Sequence, residues 1–299
     1  MNIHIVCVSG ISGFVGQNLQ IFFSNIYDLV PLSYRYRTNQ IIEISGNVVI
    51  HLAGKAHDLK KVSKPQEYYE ANFELTKQLF DSFLQSKATI FIFMSTVKAV
   101  ADNAEGIITE ETIPNPKTHY GISKMKAENY ILNQPLTEGK RVYILRPCMI
   151  HGPGNKGNLN LLFRLVSKKI PWPLGAFENK RSYCSIDNLM FIFKELIERE
   201  DIPSGIYNVA DDEPLSTNEL INLIAQSQNR KSYVWKISKG IIERMSKLGD
   251  ILHLPLNSER LQKLTDSYVV SNQKIKDAID KPLPVSSREG LIKTFQSFK

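Results

Sequence analysis

The sequence predicts an α/β fold in which a doubly wound parallel sheet is followed by a smaller second domain. Three observations carry this expectation. The chain opens with a strand, a glycine turn and a helix; β-rich apolar runs then alternate with segments of helical spacing; and beyond Ile150 polar turns and helices take over. At 299 residues the chain has room for one sizeable domain and a smaller one. The expected division puts 1–150, rejoined by parts of 183–210, in the first and most of 151–299 in the second.

The opening run Ile3 to Val8 is strand-forming, and Gln17 to Phe23 has helical apolar spacing. Between them lies Ser9-Gly10-Ile11-Ser12-Gly13-Phe14-Val15-Gly16. Gly10 permits a tight turn, Gly13 lets backbone approach a pyrophosphate, and Gly16 allows the helix to pack closely on the strand. The backbone around Phe14 and Val15 then faces an anion with free N–H groups and a positive dipole end. In this context the turn points to a dinucleotide, whereas three glycines alone would be a plain βα turn.

Leu29 to Ser33 reads as the second strand, and its carboxyl end selects the cofactor. An NAD site offers an acid to the ribose 2'-hydroxyl, and NADP needs a cation for its phosphate. Ser33-Tyr34-Arg35-Tyr36-Arg37 contains no acid, and Asp28 lies at the wrong end. Arg35, with Arg37 and Ser33, therefore predicts a preference for NADP(H), with NAD(H) as the alternative. The short span from Gly16 to His51 requires the helices and the strand between strands two and four to be abbreviated. Asn47 to His51 reads as a buried strand ending in Leu52-Ala53-Gly54, small residues against which a cofactor can lie. His51, in an apolar strand without ligand partners, reads as structural.

Tyr68 to Leu84 is helical in pattern, and Thr89 to Met94 is another buried strand that stops at Ser95-Thr96. Hydroxyls at this end of a parallel strand point into the crevice where such sheets bind ligands. Pro114-Asn115-Pro116 breaks the chain before a helix running from Tyr120 through Glu128 to Leu132. Tyr120 and Lys124 share one face of it. A lysine cation beside a phenol favours the phenolate, which would make Tyr120 a general acid/base near neutral pH; the plain alternative is a solvent-facing pair. A strand from Arg141 to Leu145 ends in Arg146-Pro147. His151 to Asn158 is a loop of turn formers and donors suited to phosphate, Glu178 to Tyr183 is a second polar turn carrying Arg181, and Ser232 to Leu256 and Glu289 to Phe298 read as helices.

Net charge is +7 and the pI near 9.1. Lys and Arg are dispersed, and pairs such as Lys60-Lys61 and Lys168-Lys169 are short and read as solvated surface, so an anionic small molecule explains the charge as well as nucleic acid does; the partner expected is the small molecule, with no nucleic acid. Cys7, Cys148 and Cys184 lie in apolar or strand-like surroundings and read as buried thiols, with no metal-ligand spacing. With no signal peptide or membrane span in view, the expected location is the cytoplasm.

Taken in order, the glycine turn, His51-Leu52-Ala53, Ser95-Thr96, Tyr120-x-x-x-Lys124, and Arg146-Pro147 followed by His151-Gly152-Pro153 resemble the extended short-chain dehydrogenase/reductase family. Tyr207 to Ala210, Ser216 to Leu220 and Lys281 to Pro284 extend the match along nearly the whole chain. The resemblance implies a Rossmann domain binding the dinucleotide, with Pro147 among its contacts, and a C-terminal domain binding a nucleotide sugar, UDP by family default. It gives Thr96 the sugar oxygen, Tyr120 the proton transfer, and Lys124 both the tyrosine pKa and the nicotinamide ribose. Arg181 falls on the diphosphate, Asn158 among the substrate contacts, and a homodimer through Tyr68 to Leu84 and Thr118 to Leu132 is implied.

Met149, His151 and Val100-Ala101 depart from the UDP-glucose 4-epimerase pattern, and the acidic NAD residue is missing. With Gly157-Asn158-Leu159 and Pro171 to Gly175, these features are closer to bacterial UDP-N-acetylhexosamine epimerases or 4-keto reductases serving polysaccharide and O-antigen synthesis. An NADPH-dependent 4-keto reductase is the leading expectation. The alternatives are an NAD-dependent 4-epimerase of UDP-glucose or UDP-N-acetylglucosamine, and a dinucleotide-sensing regulator that has lost the chemistry. Thr96, Tyr120 and Lys124 are all present, which argues against the regulator.

Overall fold

The computed structural model describes residues 4–56, 64–103, 106–155, 157–252 and 257–298. Ile3 and the Lys60-Lys61 pair lie outside the described residues. The first half runs β1 (Ile5–Ser9), α1 (Phe14–Phe23), β2 (Asp28–Leu32), β3 (Val48–His51), α2 (Pro65–Tyr69), a π turn (Glu70–Glu74), α3 (Leu75–Gln85), β4 (Ile90–Met94), β5 (Ile107–Ile108), α4 (His119–Leu132) and β6 (Arg141–Pro147). The second half continues with β7 (Met149–His151), α5 (Asn158–Ser167), β8 (Tyr183–Ser185), α6 (Ile186–Glu198), β9 (Gly205–Val209), α7 (Thr217–Ser227), α8 (Lys239–Leu252), α9 (Ser258–Thr265), β10 (Val269–Val270), α10 (Gln273–Ile279) and α11 (Ser287–Gln296).

Six strands form one parallel sheet in the order β2-β1-β3-β4-β6-β9. The order turns back at β1, where Ser9 is in register with both Leu32 and His51. The crevice at such a switch point is where open α/β sheets bind ligands. Val6 and Val8 point into a core with α1 and α6, while Cys7 points with Val49, Phe91 and Ile144 into a second core under α3 and α4. Both faces are thus covered, the condition for an all-parallel sheet. A third cluster, including Leu159, Trp172, Leu220, Leu291 and Phe295, holds the later helices together.

Several expectations are corrected. Between β2 and β3 the connecting elements are missing rather than shortened: the described chain from Ser33 to Asn47 contains no helix or strand. The helix expected from Tyr68 begins at Pro65 and is interrupted by the π turn, so its register changes before α3. The stretch from Ser232 becomes helical only at Lys239, because Val234 and Lys236 first form bridges to Trp172 and Leu174. No helix among the described residues is long and apolar enough to cross a membrane.

Candidate active site

The carboxyl ends of β1, β3, β4 and β6 converge on one side of the sheet. Gly10 takes φ +74°, and a Cβ there would lie 2.5 Å from the Ala53 nitrogen, so the turn after β1 seats directly on the Leu52–Gly54 strand exit. A Cβ at Gly16 would lie 2.4 Å from the Ile11 carbonyl oxygen. Gly16 therefore allows α1 to close on its own turn rather than on the strand. Phe14 and Val15 pack against the sheet's first core. Gly13 caps α1 without a side chain over its first N–H groups, leaving a backbone cradle that fits a pyrophosphate. Ser33 and Arg35 are exposed immediately beyond β2, at the same sheet edge.

His51 is fully buried, with Nδ1 2.5 Å from the Ser9 hydroxyl and Nε2 2.8 Å from the Thr76 hydroxyl. Burial lowers its pKa to about 3, so the ring is neutral and structural. Ser9 also accepts the Ala53 N–H at 3.3 Å, which ties this network to the strand exit. Asn72, brought inward by the π turn, completes the support: its amide bonds the Lys55 N–H (2.7 Å), the Lys55 carbonyl (3.0 Å) and the Ser123 hydroxyl (3.0 Å). π turns recur at functional sites, but the even helical pattern of the sequence hides this one.

A cavity of about 500 Å³ opens beside these strand ends. It is lined by Leu52, Gly54, Thr96, Tyr120, Lys124, Pro147, Asn158 and Arg181, so eight of the sequence-predicted residues meet there. Gly10, Gly13, Phe14, Val15, Gly16, Ser33, Arg35 and Ala53 are not part of its lining. Lys98, Met149, Ser182, Tyr183 and Tyr268 also line it, and the sequence reading had not singled them out as ligand contacts. Among the described residues no carboxylate does.

Thr96 hydrogen-bonds the Tyr120 phenol. Burial raises the Tyr120 pKa and the Thr96 bond opposes it, leaving the value above the usual 10. Lys124 is buried, donates to the Met94 carbonyl at 2.8 Å, and lies 4.6 Å from the centroid of the Phe93 ring. Burial lowers its pKa to about 7, against the pull of Glu128. Burial is thus the largest cause of both shifts, and Lys124 is not among the causes acting on Tyr120. Ser95 also lines the cavity, and its hydroxyl is engaged by Glu128, which Arg146 also holds. His151 is likewise structural, with Nδ1 2.9 Å from the Thr294 hydroxyl and Nε2 3.4 Å from Asp211.

The three thiols are buried and free. Among the described residues, no group of three His, Cys, Asp or Glu side chains is placed to hold a metal ion.

The sequence pattern of the NAD dependent epimerase/dehydratase family matches residues 6–210. The chain is 28% identical to a UDP-glucose 4-epimerase of Vibrio cholerae, with 98% of this chain and 95% of the relative covered. It is 26% identical to a GDP-6-deoxy-D-mannose reductase of Pseudomonas aeruginosa, over 73% of this chain and 78% of that one. Among solved structures, RMD from Pseudomonas aeruginosa complexed with NADPH superposes with a TM-score of 0.74 at 22% identity, covering 99% and 97% of the two chains.

Proposed function

The chain belongs to the NAD dependent epimerase/dehydratase family, and from that premise we propose that it is an NADPH-dependent 4-keto reductase of a UDP-linked amino sugar in surface polysaccharide or O-antigen biosynthesis. Its relatives include a UDP-sugar 4-epimerase and a nucleotide-sugar reductase. The reading rests on one observation: Thr96, Tyr120 and Lys124 meet in a cavity that also presents Lys98 and Arg181 and, among the described residues, no carboxylate. Cations suit a diphosphate. The Tyr120 phenol, bonded to Thr96, suits proton transfer at one sugar oxygen.

In this reading the sugar's C4 oxygen sits against the Tyr120 and Thr96 hydroxyls, with Asn158 and Arg181 farther along the substrate. Tyr120 gives its proton to that oxygen, Thr96 holds the phenol, and Lys124 bonds the nicotinamide ribose. A bound NADPH supplies the hydride. The raised Tyr120 pKa keeps the phenol protonated at neutral pH, which suits reduction of a ketone. A 4-epimerase must first take a proton from the sugar hydroxyl. The missing acid after β2 and the exposed Arg35 point the same way, although the family as a whole is named for NAD.

The proposal takes 1–150 with parts of 183–210 as the dinucleotide-binding domain and most of 151–299 as the substrate-binding domain. It extends to a cytoplasmic homodimer paired through α3 and α4, which gel filtration with light scattering tests.

The deciding measurement follows reduced nicotinamide absorbance with NADPH or NADH and a UDP-4-keto-6-deoxy-N-acetylhexosamine, with UDP-N-acetylglucosamine assayed separately and its products resolved. One-for-one loss of NADPH on the keto sugar is expected. Absence of net oxidation, together with conversion of the gluco to the galacto sugar, would establish the epimerase instead.

A further inference from the structure

We propose that Lys98 is a substrate-binding residue whose ammonium, together with the Arg181 guanidinium, grips the diphosphate of the nucleotide sugar. This rests on the nucleotide-sugar reading above. Lys98 follows Thr96 by two positions on the 3-10 turn Val97–Ala99, and its backbone N–H donates to the Thr96 hydroxyl oxygen at 3.2 Å. The turn that positions Thr96 beside Tyr120 therefore also fixes where Lys98 starts.

The side chain enters the same cavity. Its Nζ donates to the Asp102 carbonyl at 2.5 Å and lies 4.3 Å from the centroid of the Tyr268 ring. That ring is anchored by its hydroxyl, which donates to the Ala101 carbonyl at 2.7 Å. An ammonium has three donors, so a carbonyl and a π face leave one direction for a ligand. Arg181 spends Nη1 on the Lys263 carbonyl at 2.5 Å and lines the cavity beside Lys98.

These two cations repel one another. Burial pushes the Lys98 pKa down, Asp102 opposes this, and Arg181 and Lys263 push it further down. No carboxylate pairs with either Lys98 or Arg181 among the described residues. Two like charges turned into one half-buried cavity are unfavourable until an anion joins them. A diphosphate brings charge for both, whereas a sugar hydroxyl brings none.

The test measures UDP, GDP and UMP binding by calorimetry, and steady-state kinetics, for the wild-type chain, Lys98→Met and Lys98→Arg. Loss of one charge-assisted bond predicts that Lys98→Met binds the preferred diphosphate about 10- to 100-fold more weakly. KM for the nucleotide sugar should rise by a similar factor with kcat within about twofold, and Lys98→Arg should recover most of the affinity. UMP binding should change by no more than about threefold, since it lacks the second phosphate. Unchanged diphosphate affinity in Lys98→Met would overturn the proposal. So would equal losses in the Met and Arg variants that track a falling melting temperature, the mark of a purely structural lysine. Should the wild-type chain bind neither UDP nor GDP, the nucleotide-sugar reading itself fails, a distinguishable result that removes this inference with it.

Discussion

The Glu128 carboxylate holds the Arg146 guanidinium at 2.6 Å from Oε2 to Nη2, with both side chains buried. Arg146 Nε also donates to both carboxylate oxygens, and the Ser95 hydroxyl donates to Oε1. Glu128 lies one turn beyond Lys124 and two beyond Tyr120 on α4, and Ser95 precedes Thr96. The ion pair therefore fastens the helix carrying the acid/base to β6, and the Ser95 bond fastens the same carboxylate to the end of β4, beside Thr96. Breaking it should cost more than the pair contributes, because the remaining charge stays buried. Arg146→Met and Glu128→Gln are each expected to lower unfolding free energy by about 3–5 kcal/mol in urea titrations. The double variant, which leaves no orphan charge, should recover much of that loss; additive single effects would refute the clamp.

Lys124 predicts a pH-dependent stability with a definite sign. Its folded pKa of about 7 lies below the usual lysine value of 10.5, so the folded state disfavours the proton. Below the folded value both states carry the charge, and the burial penalty is fully present. As pH rises from there toward 10.5 the unfolded chain keeps a proton that the folded chain has lost, and stability increases. Relative to Lys124→Met, the wild-type chain should therefore gain about 1.4 kcal/mol per pH unit across the middle of this window. Chemical denaturation of the two chains at several pH values checks it, and parallel curves would show that Lys124 is not desolvated as described.

Tyr120→Phe removes only the hydroxyl that Thr96 bonds. Turnover should fall about 10²- to 10⁴-fold, the range for loss of a general acid. Cofactor binding, read by the fluorescence of reduced nicotinamide, should stay within about threefold. Turnover left intact would take Tyr120 out of the chemistry altogether.

The sheet was readable because each parallel strand is a short apolar run bounded by turn formers, and buried strands leave that mark without help from tertiary contacts. The glycine turn and the Tyr120–Lys124 pair were readable for a similar reason, since their spacing is local. Lys98 carried a weaker signal: a lone cation after Ser95-Thr96 resembles any surface lysine until Tyr268, distant in sequence, is seen against it. Asn72 was hidden by the π turn, which breaks the 3.6-residue period that pattern reading assumes. The direction of the Lys124 and Tyr120 shifts could not be read from spacing, because i and i+4 specify a shared face and say nothing of how deeply the pair is buried.

Arg35 tests the cofactor preference. It is exposed just past β2, next to the strand that leads into the glycine turn, and Ser33 to Arg37 contains no acid to offer a ribose hydroxyl. A guanidinium reading a 2'-phosphate makes charge-assisted bonds that NADH cannot supply. Arg35→Ala should therefore weaken NADPH by about 10- to 100-fold while changing NADH by no more than about twofold. If the second arginine shares the phosphate, Arg37→Ala should produce a smaller loss of the same kind, and the double variant should approach the NADH affinity. Equal losses for both cofactors would instead mean that these arginines serve the loop rather than the phosphate, and the reductase reading would lose the support it draws from this strand end.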